Sequence, residues 1–224
     1  MKNFAAISAL FATALIAAAV PSTVSLPEPL TIRYASVNDS TLDPWRHVDP
    51  STKAFILTLA RRAFDTYITK HEIIDCPDDV PTLLRTRAGV FVSTMGADGA
   101  PRCCMGTLYP LETDVAHEII ANAVTAAGRD RRFPPVKVSE MSKLRLIVSI
   151  VGQPEPIDDR AAATLDPVND GLVVKNGDRY GVMLSGETSS PDLMLRWGRK
   201  RAGAGPSTSV EFFRLDDVRF MEGL

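Results

Sequence analysis

Two adjacent cysteines behind an arginine, in the stretch PRCCMGTLYP at residues 101–110, are the side chains of this sequence best suited to chemistry. A β-strand sends successive side chains to opposite faces, so Arg102 and Cys104 are expected to share one face. Cys103 and Met105 would then point the other way, into the core. A guanidinium beside a thiol favours the thiolate, which is the form that acts as a nucleophile or a metal ligand. The pattern predicts a reactive Cys104 that is activated by Arg102.

A polar cleft around this strand would hold a substrate next to the Cys104 thiol. Gly106 lies on the same predicted face as Cys104 and would leave room above the strand. Asp130 and Arg132, in the segment GRDRRFPPV, would complete a cleft able to hold an anionic substrate. Both features also have structural interpretations: a buried cysteine beside an arginine that serves a structural carboxylate, and a loop supported by an internal ion pair.

The remaining chemically active residue types are scattered. His47, His71 and His117 have no metal-ligand spacing, so the sequence predicts neither a metal site nor a cofactor. The odd number of cysteines excludes a disulfide framework and a CxxC metal site. A bridge between Cys76 and one of the adjacent pair stays open in an oxidising compartment. The basic runs RWGRKRAG and RDRR are interpreted as solvated faces, and no nucleic-acid partner is predicted.

Composition agrees with a folded protein that carries no strong charge. The chain has 224 residues, of which 45% are hydrophobic and 23% charged, and its formal net charge is -2. These values are typical of a globular protein that buries a core. They supply no general electrostatic attraction to nucleic acid or to an anionic membrane.

The N-terminal segment is typical of an exported protein. Residues 1–20 hold one lysine, then an apolar run, then alanines at which a signal peptidase cuts. An uncleaved N-terminal anchor is the alternative, and this would be the chain's only link to a membrane. An incidental alanine-rich helix in a cytoplasmic protein is the third interpretation. Residues 21–50 are rich in Pro, Ser, Thr and Asp without a sustained period, which favours a linker or extended arm.

Periodicity predicts the elements that position the cysteine strand within a folded domain at residues 51–224. An amphipathic helix begins with Ser51 as its N-cap and carries an apolar stripe through Phe64. Two β-rich runs flank the turn GADGA and predict a hairpin that ends in PRCCMGTLY. A second helix follows, capped by Thr113 or Asp114 and ending at Gly128.

The C-terminal half of this region predicts mainly strands. LRLIVSIVG reads as one strand, LVVKNGDRYGVML as a hairpin around Asn176-Gly177, and SVEFFRLDDVRF as one closing strand. A short helix is predicted in PDLMLRWGRKRAG. Helices interspersed with hairpins indicate an α+β fold with a mainly antiparallel sheet, rather than regular βαβ alternation.

Several motifs in order resemble the AMMECR domain family, whose bacterial and archaeal members are called AmmeMemoRadiSam system protein A. PRCCMGTLYP is similar to the family's RGCIGT signature, and GRDRRFPPV to its EDPRFPP segment. LRLIVSIVGQPEPIDD resembles the family strand that ends in PEPI. LDPVNDGLVVKNGDRYGVML resembles the later Asp-Pro and hairpin portion. The likeness runs from about residue 52 to 222.

The resemblance implies a two-lobed α+β domain with a mainly antiparallel sheet flanked by helices. It assigns Arg102, Cys104 and Gly106 to the signature and Asp130 and Arg132 to the following segment. It places Glu155 in the PEPI stretch as a further binding residue. The chain departs from the family where Cys103 replaces a glycine.

The family name also implies partners that act in trans, namely a Memo-type metal-binding protein and a radical SAM enzyme. Two functions follow as hypotheses. The first is a protein-binding or accessory module linked to redox or radical chemistry. The second is an enzyme that uses Cys104, activated by Arg102, as nucleophile or redox centre on a small or peptide-like substrate.

Overall fold

Helix α2 (Pro50–Lys70) forms the longest element of the computed structural model, which describes residues 42–223. Its N-cap is Asp49, whose carboxylate accepts hydrogen bonds from the backbone N–H groups of Ser51 and Thr52. The predicted cap at Ser51 is therefore wrong by two residues, because Pro50 occupies the first helical position, where its fixed φ fits and its missing N–H costs nothing. The predicted apolar stripe is confirmed, with Phe64 fully buried.

The end of the predicted linker is folded. Helix α1 (Asp43–Arg46) lies within the segment expected to be an extended arm, and both Leu42 and Trp45 are buried. A Cβ built on Gly152 would lie 3.4 Å from the side chain of Leu42, so this segment packs near the point where the chain leaves the first sheet. The predicted signal peptide at residues 1–20 and the rest of the arm lie outside the described residues.

Sheet A contains four antiparallel strands in the order β2-β1-β3-β8. Its strands are β1 (Gly89–Met95), β2 (Pro101–Thr107), β3 (Arg145–Val151) and β8 (Asp217–Met221). The predicted β1–β2 hairpin is present, and its turn uses Gly99 at φ 78°, a left-handed conformation that glycine adopts without strain. One face of sheet A packs on helix α2 and on α3 (Val115–Gly128) to form the main hydrophobic core.

Sheet B builds the second lobe, in the order β4-β7-β5-β6. Its strands are β4 (Glu155–Ile157), β5 (Gly171–Asn176), β6 (Arg179–Met183) and β7 (Glu211–Leu215). Helices α4 (Asp159–Ala163) and α5 (Pro191–Arg201) cover one face of sheet B through a second apolar cluster. A third apolar cluster joins Val151 and Phe91 of sheet A to Val173 and Leu215 of sheet B.

The chain passes between the sheets at two neighbouring points. The predicted single closing strand is in fact two strands, β7 in sheet B and β8 in sheet A, separated only by Asp216. The β3–β4 connection crosses beside it, since the N–H of Gly152 donates to the carbonyl of Asp216 at 2.9 Å. The predicted α+β fold with antiparallel strands flanked by helices is confirmed, and the one sheet expected is in fact two four-stranded sheets.

Candidate functional site

A cavity of about 290 Å³ lies between the lobes. It is formed where the face of sheet A that points away from α2 and α3 meets the loop after β6 and helix α5. Two of its walls come from distant parts of the chain, which is the usual setting of a ligand site. The residues that line it include Ser93, Met95, Cys104, Arg132, Phe133, Ile147, Ser149, Leu184, Gly186, Glu187, Trp197, Arg201 and Arg219.

Strand β2 sends its two cysteines into different environments, as predicted. Cys103 is 1% exposed within the core on the helix side, and its sulfur lies 3.0 Å from the Thr94 hydroxyl. Cys104 faces the other way and is half-buried in the cleft wall. Its sulfur accepts a hydrogen bond from the hydroxyl of Ser93 at 3.0 Å.

Arg102 does not accompany Cys104 into the cleft. In the β1–β2 register, Thr94 faces Cys103 and Met95 faces Pro101, so Arg102 is the extra residue of a β-bulge. A bulge redirects the side chain at that position, which strand alternation alone does not anticipate. The expectation that Arg102 activates Cys104 is therefore wrong in its geometry.

The Arg102 guanidinium instead serves a structural carboxylate. Its Nε donates to Glu140 Oε1 at 2.8 Å and its Nη2 to Oε2 at 3.2 Å. Its Cζ lies 5.9 Å from the centre of the Phe133 ring. Arg102 therefore fastens the segment after α3 to the edge of sheet A.

Gly106 does not open the space above β2 either. A Cβ at this position would lie 2.3 Å from ring atoms of Phe91, the residue directly opposite on β1. The space that glycine leaves is filled by this aromatic ring. The expected role of Gly106 in ligand access is wrong, and its role is to let Phe91 lie across the sheet.

Asp130 and Arg132 clamp the backbone of Cys104. Asp130 accepts the Cys104 N–H at 2.9 Å, and Arg132 donates to the Cys104 carbonyl at 2.6 Å. The two side chains also form an ion pair of 2.7 Å. Because β2 is an edge strand, this pair satisfies backbone groups that would otherwise have no strand partner. The structural interpretation of Asp130 is thus the correct one, while Arg132 also lines the cleft.

Glu155 takes no part in this site. It is exposed on β4, opposite Arg214 of β7, and is not among the residues that line the cleft. Of the six residues proposed from the sequence, the structure brings two into the cleft, namely Cys104 and Arg132. Asp130 does not line the cleft, but it contacts both the Cys104 N–H and the Arg132 guanidinium.

The thiols of this strand are held in their neutral form. Burial raises the pKa of Cys104, and the nearby Glu187 carboxylate raises it further, against opposing effects from the Ser93 hydrogen bond and from Arg132 and Arg201. Burial also raises the pKa of Cys103 to about 11. A raised pKa favours the protonated thiol at neutral pH, so the activated thiolate stays a prediction that this direction does not support.

Three cleft residues were missed by the sequence reasoning. Ser149 is 1% exposed, and its hydroxyl has no hydrogen-bond partner among residues 42–223. Arg219 lies directly opposite Ser149 on β8 and donates to the carbonyl of Ser185 at 2.6 Å. Arg201, from the run that we interpreted as a solvated face, forms an ion pair with Glu187 at 2.7 Å. A signal for Ser149 was present, because it is the one polar residue within the apolar run LIVSIV.

A fully buried carboxylate positions the chain that leaves β2. Glu118 on α3 is 0% exposed and accepts hydrogen bonds from the Glu112 N–H at 2.7 Å and the Thr107 hydroxyl at 2.8 Å. The N–H of Leu111 and the amide of Asn122 donate to it as well. These four donors hold the end of β2 and the chain that follows it against α3.

A sequence model of the AMMECR1 family matches residues 57–214, which spans the cleft walls of both lobes except for Arg219. The chain belongs to the AMMECR1 family. A protein of Thermotoga maritima is 34% identical over 165 residues, which cover 72% of this chain and 94% of that protein. Protein PF1979 of Pyrococcus furiosus is 34% identical over 151 residues, or 64% of this chain and 69% of that one.

A solved relative shares the fold of this AMMECR1 domain. The crystal structure of the uncharacterized protein PH0010 from Pyrococcus horikoshii aligns with a TM-score of 0.67 and 27% identity. The alignment covers 78% of this chain and 93% of the PH0010 chain.

No helix within residues 42–223 is long and apolar enough to cross a membrane. In the same part of the chain, no group of three or more His, Cys, Asp or Glu side chains is arranged to hold a metal ion.

Proposed function

We propose that this AMMECR1 domain binds a small molecule in the cleft between its lobes and acts as an accessory binding module. The observation that supports this most directly is the cavity of about 290 Å³, with walls from sheet A, the loop after β6 and helix α5. Its volume lies near the lower end of the range for ligand sites, about 300–1,000 Å³. Its lining mixes apolar surface with a few directed polar groups, which suits reversible recognition.

The state of Cys104 favours binding over covalent catalysis. The thiol has a raised pKa, and its hydrogen bond comes from Ser93, a hydroxyl that is not a strong base. No histidine is among the residues that line the cleft. A neutral thiol of this kind is suited to contact a ligand rather than to attack it.

A variant that fills the cleft tests this proposal. We expect Cys104→Phe to block binding, because the added ring projects into the cavity from its floor. Val138→Phe is the matched control, since Val138 is 60% exposed and does not line the cleft. A fragment library screened by ligand-observed NMR should give compounds that bind the wild type and Val138→Phe but not Cys104→Phe. Circular dichroism checks that both variants are folded. A library in which every binder also binds Cys104→Phe overturns the proposal.

The second candidate function is the cysteine enzyme. What favours it is that Cys104 lines the cleft beside Arg132 and Arg201, both of which pull its pKa down. The pH profile of iodoacetamide alkylation decides between the two candidates, with Cys104→Ala as the blank. A half-maximal rate below the pH found for a free cysteine favours the enzyme, and a value above it favours the binding module.

The accessory role extends, in this proposal, to protein partners in trans. Family resemblance suggests a Memo-type metal-binding protein and a radical SAM enzyme, and with them a link to redox or radical chemistry. Trp197 supports a protein contact at the cleft, because it is 40% exposed there and tryptophan is a frequent anchor of interfaces. Gel filtration of the purified proteins should show co-elution that Trp197→Ala weakens, and unchanged elution of every component counts against the partners.

We also propose that the protein is exported. The lysine and the apolar run within residues 1–20 support a signal peptide. The mass of the chain recovered after expression tests this, because cleavage near residue 20 removes about 2 kDa, at roughly 0.1 kDa per residue. A full-length mass in the cytoplasmic fraction contradicts export.

A further inference from the structure

We infer that the ligand of the cleft is a small organic anion, whose acidic group contacts Arg219 and Ser149 while its apolar body lies against Ile147 and Trp197. This inference rests on the proposed binding function and adds the chemical class of the ligand. It is carried by the charge balance of the lining, by an unpartnered buried hydroxyl and by the position of the apolar walls.

The charge balance of the cleft is positive. Three arginines and one carboxylate line it. Arg201 is neutralised by Glu187 at 2.7 Å, and Arg132 by Asp130, also at 2.7 Å. Arg219 makes no ion pair within 4.0 Å to any residue between 42 and 223, and its Nη1 donates to the neutral carbonyl of Ser185. One positive charge therefore remains available to a ligand.

The carboxylate of Asp217 makes no ion pair with Arg219 within 4.0 Å, and its Oδ2 has no hydrogen-bond partner among the described residues. Asp217 precedes Arg219 by two residues on β8, and its carboxylate accepts the Ser185 N–H at 3.1 Å. Burial raises the pKa of Asp217, partly offset by hydrogen bonds from Ser185 and by Arg219 itself. Asp217 is also absent from the lining of the cleft. A bound anion would meet Arg219 without first displacing a carboxylate.

Ser149 marks where the acidic group lies. It is 1% exposed, lines the cleft and has no hydrogen-bond partner in the described part of the chain. A buried hydroxyl without a partner is costly, so a native fold rarely retains one unless something binds it. Ser149 and Arg219 face each other across β3 and β8, and side chains paired in this way are about 5 Å apart at Cβ. Both side chains therefore lie on the cleft face of neighbouring strands, within reach of one ligand group.

The chemistry of these donors selects a carboxylate or a phosphate. A guanidinium presents N–H groups in a planar fork that matches two oxygens of an oxyanion, and a hydroxyl adds a third donor. The cleft also presents apolar side chains, with Met95 and Ile147 on sheet A and Leu184 and Trp197 on the second lobe. A ligand with an acidic head and a short apolar body satisfies both surfaces at once.

Three matched probes test the inference by isothermal titration calorimetry at low salt. The probes are 3-phenylpropionate, benzylphosphonate and the neutral 3-phenylpropanamide. We expect at least one anion to bind the wild type about tenfold or more tightly than the amide, because hydrogen bonds to a charged group are the stronger kind. Arg219→Met should remove this preference, and Arg219→Lys should keep part of it.

Ser149→Ala separates a ligand role from a structural one. It should weaken anion binding by several-fold while the melting temperature of the free protein stays the same or rises, because the hydroxyl has no internal partner to lose. Equal binding of anions and amide overturns the inference and leaves the proposed function intact. The same holds if the cleft binders of the fragment screen are all neutral. If no compound of any class distinguishes Cys104→Phe from the wild type, the proposed function itself fails.

Discussion

Replacing Asp130 by asparagine removes the charge that holds the cysteine strand to the segment after α3. The carboxylate accepts four hydrogen bonds, one from the Cys104 N–H and three from Arg132, at distances of 2.7 to 3.0 Å. An asparagine keeps one of the two oxygens and presents an NH₂ group where the other was. That NH₂ faces two donors whose hydrogen bonds Oδ2 accepts in the wild type, namely the Cys104 N–H and Arg132 Nη2. Both donors therefore lose their acceptor.

The expected cost follows from burial. Asp130 is 6% exposed, whereas the side chain of Arg132 is 44% exposed and regains water when the pair is broken. Breaking a fully buried pair costs about 3–5 kcal/mol and an exposed pair less than about 1 kcal/mol, so about 2–4 kcal/mol is expected here. For a domain of this size, that loss lowers the melting temperature by about 5–15 °C.

Urea unfolding followed by circular dichroism measures this loss, with Glu211→Gln as the matched control. Glu211 forms a 2.7 Å pair with Lys175, but its side chain is 61% exposed, so its loss should change the stability little. Should Asp130→Asn unfold at the same urea concentration as Glu211→Gln, the clamp does not stabilise the strand and the reasoning is wrong.

Acid titration gives the same clamp a second test. Burial alone would raise the pKa of Asp130, but hydrogen bonds from Arg132 and the Cys104 N–H outweigh it and hold the pKa below its usual range. A lowered pKa in the folded state contributes stability above about pH 4, and this is lost as pH falls through the folded value. The stability difference between wild type and Asp130→Asn should therefore shrink below about pH 4. A difference that stays constant down to pH 2 refutes the assigned protonation.

Three further predictions concern the packing around β2. Gly106→Ala should lower the free energy of unfolding, measured in urea, by about 1–3 kcal/mol, because its Cβ would lie 2.3 Å from the Phe91 ring. The control Gly205→Ala should be neutral, because its Cβ would lie no closer than 3.5 Å to any other atom. Glu118→Gln should cost about 1–3 kcal/mol and increase amide exchange at residues 111 and 112, whose N–H groups lose their charged acceptor; unchanged exchange argues against this contact. Burial raises the pKa of Cys103 to about 11, above the value of about 8.5 for an unfolded cysteine. The wild type should therefore lose stability relative to Cys103→Ala as pH rises from about 8.5 to 11, by roughly 2–3 kcal/mol at the upper end. A stability difference that does not change with pH contradicts this pKa.

Local patterns predicted most of the fold. The apolar stripe of α2, the Asp114 cap of α3 and the turn glycines at positions 99 and 177 each depend on residues close together in sequence. The crossing at Asp216 could not be predicted, because strand alternation continues through it without a turn signal. Helix α1 is four residues long, too short for a period to show.

The candidate site was predictable only in part, and for physical reasons. Alternation correctly separated Cys103 from Cys104, since it depends on backbone geometry alone. It failed at Arg102, because a β-bulge is set by the pairing with β1 and leaves no mark in the β2 sequence. Ser149, Arg201 and Arg219 belong to three different elements, and only the packing of sheet A against the second lobe brings them to one cavity.

The paired crossings between the sheets have a mechanical consequence. Asp216 continues one extended run from β7 into β8, and the neighbouring crossing is tied to it through Gly152. We expect these two linked crossings to resist a hinge opening between the lobes. We predict that a ligand of the proposed cleft site enters and leaves past the short segment 184–190, where Gly186 adopts φ 71°. The rate of ligand exchange should accordingly match the rate at which segment 184–190 moves, and not the rate of a rigid-body rotation of a whole lobe.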